Sequence, residues 1–572
     1  MESCVGDVLE LVAKLNEARD QLTGPGAPFE IEQRLINGVE LLTYKAAPAT
    51  LRDALAQGRT HGDKTFVTFG DERYSFNEFF ARADRAANYL VKHFEISKGD
   101  RVAIAMRNYP EWMMAYVATV SIGAVVVPLN SWGQADELEY ALNDAGAKLL
   151  FCDQQRADYI SDRLEALNCK AVVAKGDGND DNPLIEPWEA TQNSPAKLPD
   201  VDIGSGDLAM IMYTSGTTGK PKGAASTNFN MCQALFNFDV HSYMSAMANA
   251  ETVGKMMESG FEPSTLLTVP LFHVSGCYAV FMLNLRGGRK TSILYKWNPE
   301  EALKVIAQER ITIFTGVPTM TMSLLESRDF PNTDTSSLYS LGAGGTACPP
   351  HLKDLIYDKI PHAYPGTGYG MTETNATCAS GTGKAFRLRP GSAGTLSPIV
   401  KCKTVDDNGN DLAPGETGEL YVKSPANAQQ YWNLPEASAE TFIDGWVATG
   451  DVGYVDADGF LYIVDRLKDL VIRAGENIYP IEVEGLLLTH PQVQEAAVYG
   501  IPHDQLGEEL AATVFVKGDV TPQELTEFLG GRLAKFKIPS VMTVSDKALA
   551  KNATGKLLKK TIREEFLETT TG

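Results

Sequence analysis

What this 572-residue sequence lacks narrows its function first. Its eight cysteines include no C-x-x-C pair and no metal-type spacing. Neither a disulfide framework nor a zinc site is therefore expected, and the thiols read as reduced. The N-terminus, MESCVGDVLELVAKLNEARD, carries acidic residues early and no basic-then-apolar pattern, which argues against a secretory signal. The longest apolar stretch, near Tyr116 to Leu129, is short and rich in small residues. It reads as a buried helix-to-strand passage, so no integral membrane segment is expected and the protein reads as cytoplasmic. Positive charge is also scarce: 51 Lys and Arg face 73 Asp and Glu, a formal net charge of −22. Such a surface does not suit nucleic acid, so no nucleic-acid partner is expected. A polyanionic ligand would have to be held by a local positive site.

What is present suits a folded chain of more than one domain, given its length and its 44% hydrophobic and 22% charged residues. Residues 1 to about 45 read as an amphipathic helical lead-in, with Leu9, Leu11, Val12 and Leu15 as apolar contacts. From about 65 to 470, apolar β-branched runs (RVAIAM, GAVVVPL, KLLFCD, KAVVA, DLAMIMYTS, TLLTVP, ITIFTG) alternate with helical patterns such as Phe76 to His93. This predicts an α/β fold with a largely parallel, helix-covered sheet. Gly176 to Pro199 is polar and Pro-rich and reads as a surface connection. Beyond Gly394 short strands and turns predict a small β-rich lobe. After Lys468 a compact α+β unit of about a hundred residues fits a separate domain. The expected division is 1–467 and 468–572.

The most informative stretch is YTSGTTGKPKG, Tyr213 to Gly223, directly after the strand DLAMIM. Glycines that let the backbone approach closely, four Ser or Thr hydroxyls and two lysines are what a polyphosphate cradle needs. It is not a Walker loop, because Gly219-Lys220 is followed by Pro221.

That string resembles the phosphate-binding signature of the acyl- and aryl-CoA synthetase, luciferase and peptide-synthetase adenylation superfamily. The resemblance runs from about Thr65 to Lys559 and is nearest to fatty-acid–CoA ligases. YSFNEFFARADRAANYL and GDRVAIAMRNYPEWMMAYVATVSIGAVVVPLN match the opening blocks. PLFHVSG, GVPTM, GAGGTACPP, YGMTET, TGD, DRLKDL, GENIYP and NATGK follow in order.

The resemblance implies ATP, Mg²⁺ and coenzyme A as cofactors and a small-molecule carboxylic acid as partner. It implies that Thr214, Ser215, Gly216, Thr217, Thr218, Gly219 and Lys222 cradle the β- and γ-phosphates. In YGMTET (Tyr369, Gly370, Met371, Thr372, Glu373, Thr374), Tyr369 stacks on adenine, Thr372 contacts the α-phosphate and Glu373 helps hold Mg²⁺, which takes hard oxygen ligands. Gly344, Gly345 and Thr346 form a thin wall between adenine and acyl pocket. Asp451 accepts from the ribose hydroxyls and Arg466 lies near ribose and phosphate. His273 borders the acyl and phosphate sites as a binding residue, not a general base, since a carboxylate is already ionised at neutral pH. Lys556 bridges carboxylate and α-phosphate, offsetting the charge that builds there. The acyl pocket draws on the helix from Phe236 to Met244 and on Thr315, Gly316, Val317, Gly342, Ala343 and Met371.

Two steps are implied: acyl-adenylate formation with release of pyrophosphate, then displacement of AMP by coenzyme A. Lys468 matches the hinge about which the small domain turns, withdrawing Lys556 and bringing Gly475 of GENIYP toward the thiol channel. The sequence departs from the common pattern at Arg473-Ala474-Gly475, where Ser-Gly-Gly is frequent, and at Ala550, where Pro is frequent. The Met-rich run HSYMSAMANAETVGKMMESGFEPS reads as adaptable core or cap. Apolar and small residues at the acyl site favour a fatty or arylalkanoic acid. His273 stands where peptide-synthetase domains place the Asp that holds an α-amino group, which disfavours amino acids. Delivery to a carrier protein stays open as an alternative, as does a non-catalytic nucleotide-binding protein, and a homodimer is compatible with the sequence.

Overall fold

The alternation of short apolar runs with helices resolves into two large sheets and a smaller one. The computed structural model describes residues 2–177, 182–214, 220–344, 352–474, 476–552 and 555–571. The first sheet has eight strands in the spatial order Gln430–Tyr431, Gly223–Thr227, Leu208–Tyr213, Val125–Pro128, Arg101–Ala105, Ala147–Asp153, Lys170–Ala174 and Ile185–Pro187. From Leu208–Tyr213 to Ile185–Pro187 it is parallel, and its other edge is antiparallel. The second sheet has fourteen strands. Its parallel half includes Ser264–Leu267, Ile313–Gly316 and Ser340–Ala343. Its antiparallel half includes Gly366–Tyr369, Trp446–Val455 and Phe460–Arg466.

Between the sheets lie two helices whose sequences demand that place. Pro110–Ser121 buries every one of its residues, Trp112 and Tyr116 completely, as an all-round apolar helix must. Phe76–Lys92 starts at a reciprocal cap between Ser75 and Glu78 and buries Phe76, Phe79 and Phe80. Their core joins Val102, Ile104 and Val126 of one sheet to Phe66, Val67 and Leu267 of the other. A small C-terminal domain follows, a five-stranded sheet with helices Pro480–Leu487, Pro522–Leu529 and Lys559–Thr571. This is the α/β arrangement expected, a large domain of helix-covered sheets followed by a small α+β one. Among the described residues no helix is long and apolar enough to cross a membrane.

Three expectations change. The connection from Gly176 to Pro199 contains the edge strand Ile185–Pro187, and Trp188 beyond it is 2% exposed because its ring packs on Phe151 at 5.8 Å. The β-rich strands after Gly394 continue the second sheet, since Ser392–Leu396 pairs with both Ala379–Thr382 and Phe460–Arg466. The lead-in is helical only over Glu2–Thr23, with Leu11 buried and Leu9 exposed, and then becomes a hairpin of Ile31–Ile36 and Val39–Tyr44. Its turn is Asn37-Gly38, both at positive φ, the dihedrals a two-residue hairpin turn requires.

The N-terminal segment is anchored on the helix Asn228–Ala248. Tyr44 exchanges backbone hydrogen bonds with the Gln233 amide, at 2.8 and 3.1 Å, and its hydroxyl donates to Asn237 Oδ1 at 3.0 Å. Phe29 packs edge-on against Phe236 at 5.5 Å. Phe29→Ala should remove about 3 kcal/mol from the stability of the large domain, read as an earlier urea midpoint. An unchanged midpoint would mean that the segment contributes nothing to the helix it covers.

Candidate active site

The phosphate loop sits at the tip of a hairpin. Strand Leu208–Tyr213 runs antiparallel to Gly223–Thr227, and the Thr214 N–H donates to the Lys222 carbonyl at 2.9 Å. Glycine is required at 223, because a Cβ there would lie 2.6 Å from Ile211 Cγ2. Thr214 and Lys222 thus flank the loop. Ser215, Gly216, Thr217, Thr218 and Gly219 lie outside the described residues.

Edge strand Gln430–Tyr431 pairs with Gly223–Thr227 and brings Tyr431 beside Lys222, whose Nζ is 4.9 Å from the ring centroid. The Tyr431 hydroxyl donates to Glu373 Oε1 at 2.6 Å. Glu373 is 6% exposed in the turn Thr372–Thr374, and burial raises its pKa. That turn is forced by close packing. A Cβ on Gly370 would lie 1.1 Å from the Ala376 carbonyl oxygen, and Asn375 and Ala376 both have positive φ. Met371 N–H donates to Thr374 Oγ1 at 3.0 Å, and Thr372 is half-buried. The Asn375 amide donates to the Ala426 carbonyl at 2.8 Å, while its Oδ1 accepts from the Tyr278 hydroxyl at 2.7 Å.

Opposite this turn, antiparallel register places Asp451 against Arg466. Asp451 is 3% exposed, and both its oxygens are engaged: Oδ1 by Arg466 Nε at 2.5 Å and Oδ2 by the Tyr369 hydroxyl at 2.7 Å. Lys556 of the small domain reaches the same place. Its backbone N–H is held by Asn552 Oδ1 at 2.9 Å, and its ammonium faces Arg466, Asp451, Asp469 and Lys468. Desolvation, reinforced by Arg466, lowers its pKa to about 8. Lys468 is exposed at the junction with the small domain.

His273 lines a crevice with Thr214, Tyr213, Phe272 and Asn552. Burial lowers its pKa to about 4, so the ring is neutral at pH 7. The tight PLFHVSG loop depends on Gly276, where a Cβ would meet the Pro270 carbonyl oxygen at 2.2 Å. Thr315 and Gly316 pair in register with Gly342 and Ala343 at the ends of two parallel strands. Gly344 N–H bonds the Gly316 carbonyl at 3.2 Å, and its Cβ position meets no atom within 4 Å. Val317 follows and touches the small domain: a Cβ on Gly555 would lie 3.2 Å from Val317 Cγ2. Gly345, Thr346 and Gly475 lie outside the described residues.

Phe236 lies on the helix beneath the N-terminal segment. Its ring is enclosed by Phe29, Tyr44, Met244 and Ile399, because the N-terminal segment covers that face of its helix. Sequence reasoning also passed over Tyr431 and Asn375. Nothing local in NAQQYW marks Tyr431, whose position comes from the sheet edge. Asn375 carries one weak signal, an Asn in the left-handed region after a tight turn.

Lys222, Glu373, Asp451, Arg466 and Lys556 thus lie near one another where the two domains meet, with Thr214 bonded to Lys222 at the strand end. Residues 55–432 match the AMP-binding enzyme family and residues 482–556 its C-terminal domain; the chain belongs to the AMP-binding enzyme family of adenylate-forming enzymes. It is 33% identical to the feruloyl-CoA synthase of an Amycolatopsis species, covering 88% of this chain and 96% of the relative. It is 32% identical to the long-chain-fatty-acid–CoA ligase FadD13 of Mycobacterium tuberculosis, covering 87% and 94%. Its structure is similar to that of o-succinylbenzoate coenzyme A synthetase from Bacillus subtilis in complex with ATP and magnesium ion. There the identity is 30%, with 89% and 99% of the chains covered and a TM-score of 0.73.

The residues present fit a magnesium ion that arrives with the nucleotide. Among the described residues no group of three or more His, Cys, Asp or Glu could hold a metal alone. Glu373 instead offers one buried carboxylate whose side-chain hydrogen bond comes from a neutral phenol. Magnesium bound through phosphates asks for one or two carboxylates and no protein cage.

Since the Lys556 pKa lies at about 8 without nucleotide, its charge is lost as pH rises through that value. kcat/KM for ATP in adenylation, which reports the free enzyme, should fall above about pH 8. kcat should fall later, because bound polyanion favours the charged ammonium. Lys556→Arg should flatten the alkaline limb; a wild-type profile level to pH 9.5 would contradict the assignment.

Proposed function

We propose that this adenylate-forming enzyme joins an apolar carboxylic acid, fatty or arylalkanoic, to coenzyme A in two steps. The observation that carries the reading is the meeting of Lys556 with Asp451 and Arg466 at the end of the phosphate-loop hairpin. Thr214, Lys222 and the hydroxyls of the loop hold the triphosphate. Glu373 would hold Mg²⁺, which neutralises phosphate charge when bound. Asp451 orients the ribose and Tyr369 the adenine.

In the first step the substrate carboxylate attacks the α-phosphorus and pyrophosphate leaves. Lys556 draws the two anions together and offsets charge in the transition state. No general base is needed, and neutral His273 supplies shape and a weak dipole at the boundary between acyl and phosphate sites. Thr315, Gly316, Val317, Gly342 and Ala343 flank the acyl group with small and apolar surface, which suits an aliphatic or aromatic body without a second charge. In the second step the thiolate of coenzyme A attacks the acyl carbonyl and AMP leaves. The Lys556 loop lies against Val317 in this structure, so the small domain must move, with Lys468 as hinge and 468–572 as the moving body. The feruloyl and long-chain fatty-acid relatives support an acid with an aromatic or aliphatic body, and their names support the coenzyme A acceptor.

The test is incubation with ATP, Mg²⁺ and a panel of fatty and aryl acids, with and without coenzyme A, reading pyrophosphate and thioester. Acid-dependent pyrophosphate with coenzyme-A-dependent thioester supports the reading. Pyrophosphate without thioester transfers the acceptor role to a carrier protein, and no turnover with any acid refutes it. Lys556→Ala should slow adenylation by about 10²- to 10³-fold while sparing thioester formation from preformed acyl-adenylate. Lys468→Pro should do the reverse; equal loss of both steps would remove the hinge.

A further inference from the structure

The last strand of the large domain, Phe460–Arg466, ends in two acidic-basic neighbours that point in opposite directions, as successive strand residues do. Arg466 turns to Asp451 on the nucleotide side. Asp465, 1% exposed, turns to the small domain. Its Oδ2 accepts the backbone N–H of Ile481 at 3.0 Å, in the first turn of helix Pro480–Leu487. That helix has no side-chain cap from its own preceding residue, Tyr479. A residue from across the hinge therefore does the work of its N-cap.

The same helix is tied to the Lys556 segment through Lys559, three positions beyond Lys556 and at the start of helix Lys559–Thr571. Its Nζ lies 2.7 Å from Glu484 Oε1, and its charge is set among Glu484, Asp465 and Asp469. Glu484 also accepts the Val498 N–H at 2.7 Å. Glu484 thus ties two helices and one strand of the small domain together, and that body meets the buried Asp465 carboxylate of the large domain through the Ile481 N–H.

We infer that Asp465 is a positioning residue for adenylation: it latches the small domain in the orientation that delivers Lys556, and it must be released before the thioester step. The inference rests on the two-step reading with Lys468 as hinge. Rotation about Lys468 carries Ile481, Glu484 and Lys559 away and leaves Asp465 behind. The Asp465–Ile481 hydrogen bond then breaks, and a carboxylate buried in this structure passes to water. The latch and the ribose site share one strand end, so a nucleotide that straightens Arg466 also steadies Asp465. Asp465 touches no reacting atom in this scheme; it acts through the placement of Lys556.

The test uses the full-length protein carrying Asp465→Ala, which removes the acceptor for the Ile481 N–H, with the two half-reactions measured apart. Acid-dependent pyrophosphate release without coenzyme A should slow about tenfold, equivalent to about 1.4 kcal/mol. Thioester formation from preformed acyl-adenylate and coenzyme A should be unchanged or faster. Hydrogen exchange at the Ile481 amide should rise in the variant, which a defect in chemistry alone would not produce. Equal slowing of both half-reactions, or no slowing of adenylation, overturns the latch. Should Asp465→Ala melt below the assay temperature, Asp465→Ser, whose shorter side chain draws the acceptor back from the Ile481 N–H, should give the same split. Lys468→Pro separates the two ideas. If it spares thioester formation, the hinge reading fails; if it blocks that step while Asp465→Ala slows neither, only the latch fails.

Discussion

A chain with 22 excess negative charges has to hold a triphosphate, and the architecture of the active site follows from that constraint. Long-range attraction is unavailable, so cations must be gathered locally. Lys222 comes from the phosphate-loop hairpin, Arg466 from the end of a strand in the second sheet and Lys556 from the small domain. Each is tempered by a carboxylate or an aromatic face: Lys222 by Tyr431, Arg466 by Asp451, and Lys556 by Asp451 and Asp469. Like charges so placed repel until an anion enters. The lowered pKa of Lys556 records that repulsion together with its desolvation. On the proposed reading, a bound polyanion would relieve that repulsion.

The two-sheet framework makes such a gathering feasible. Glu373 and Asp451 are both buried, and a buried charge is tolerated only with partners. Tyr431 supplies one from the edge of the first sheet, while Tyr369 and Arg466 supply others from the second. The site therefore forms where the edges of two sheets face each other. The fully buried helix Pro110–Ser121 holds those sheets apart at a fixed spacing. Asn375 adds a rigid link between them, tying the Glu373 turn to Tyr278 and to the backbone at Ala426. A change in either sheet would be felt at Glu373 through these ties.

Much of the fold was legible because it is local. β-Branched runs such as KLLFCD and KAVVA became the strands Ala147–Asp153 and Lys170–Ala174, and YTSGTTGKPKG fell on a hairpin directly after its strand. What the sequence hid is what depends on distant partners. Tyr431 meets Glu373 across 58 positions and Tyr44 meets Asn237 across 193, and no periodicity within a segment reports either. The packing of Phe236 was hidden for the same reason. Its helix offers several apolar faces, and only the docking of Phe29 and Tyr44 decides which one is covered. The edge strand Ile185–Pro187 escaped notice because a polar, Pro-rich stretch needs only three residues to pair.

The position of the small domain carries the last step of the argument. Gly555 stands against Val317 at the boundary of the acyl strands, and the neighbouring ammonium of Lys556 faces Asp451 and Arg466. On the proposed reading one short loop would occupy the approach to the acyl carbonyl and serve the phosphate chemistry at once. A thiol attacking that carbonyl needs space the loop fills, so a single rigid arrangement cannot serve both reactions. The protein meets this with a large, strongly buried frame that fixes the nucleotide and a small domain joined to it by an exposed lysine at 468 and by a few buried polar contacts. Hydrophobic burial between the domains would hold one state too firmly. Charged contacts that water can replace let the interface open and close at a cost each substrate can offset.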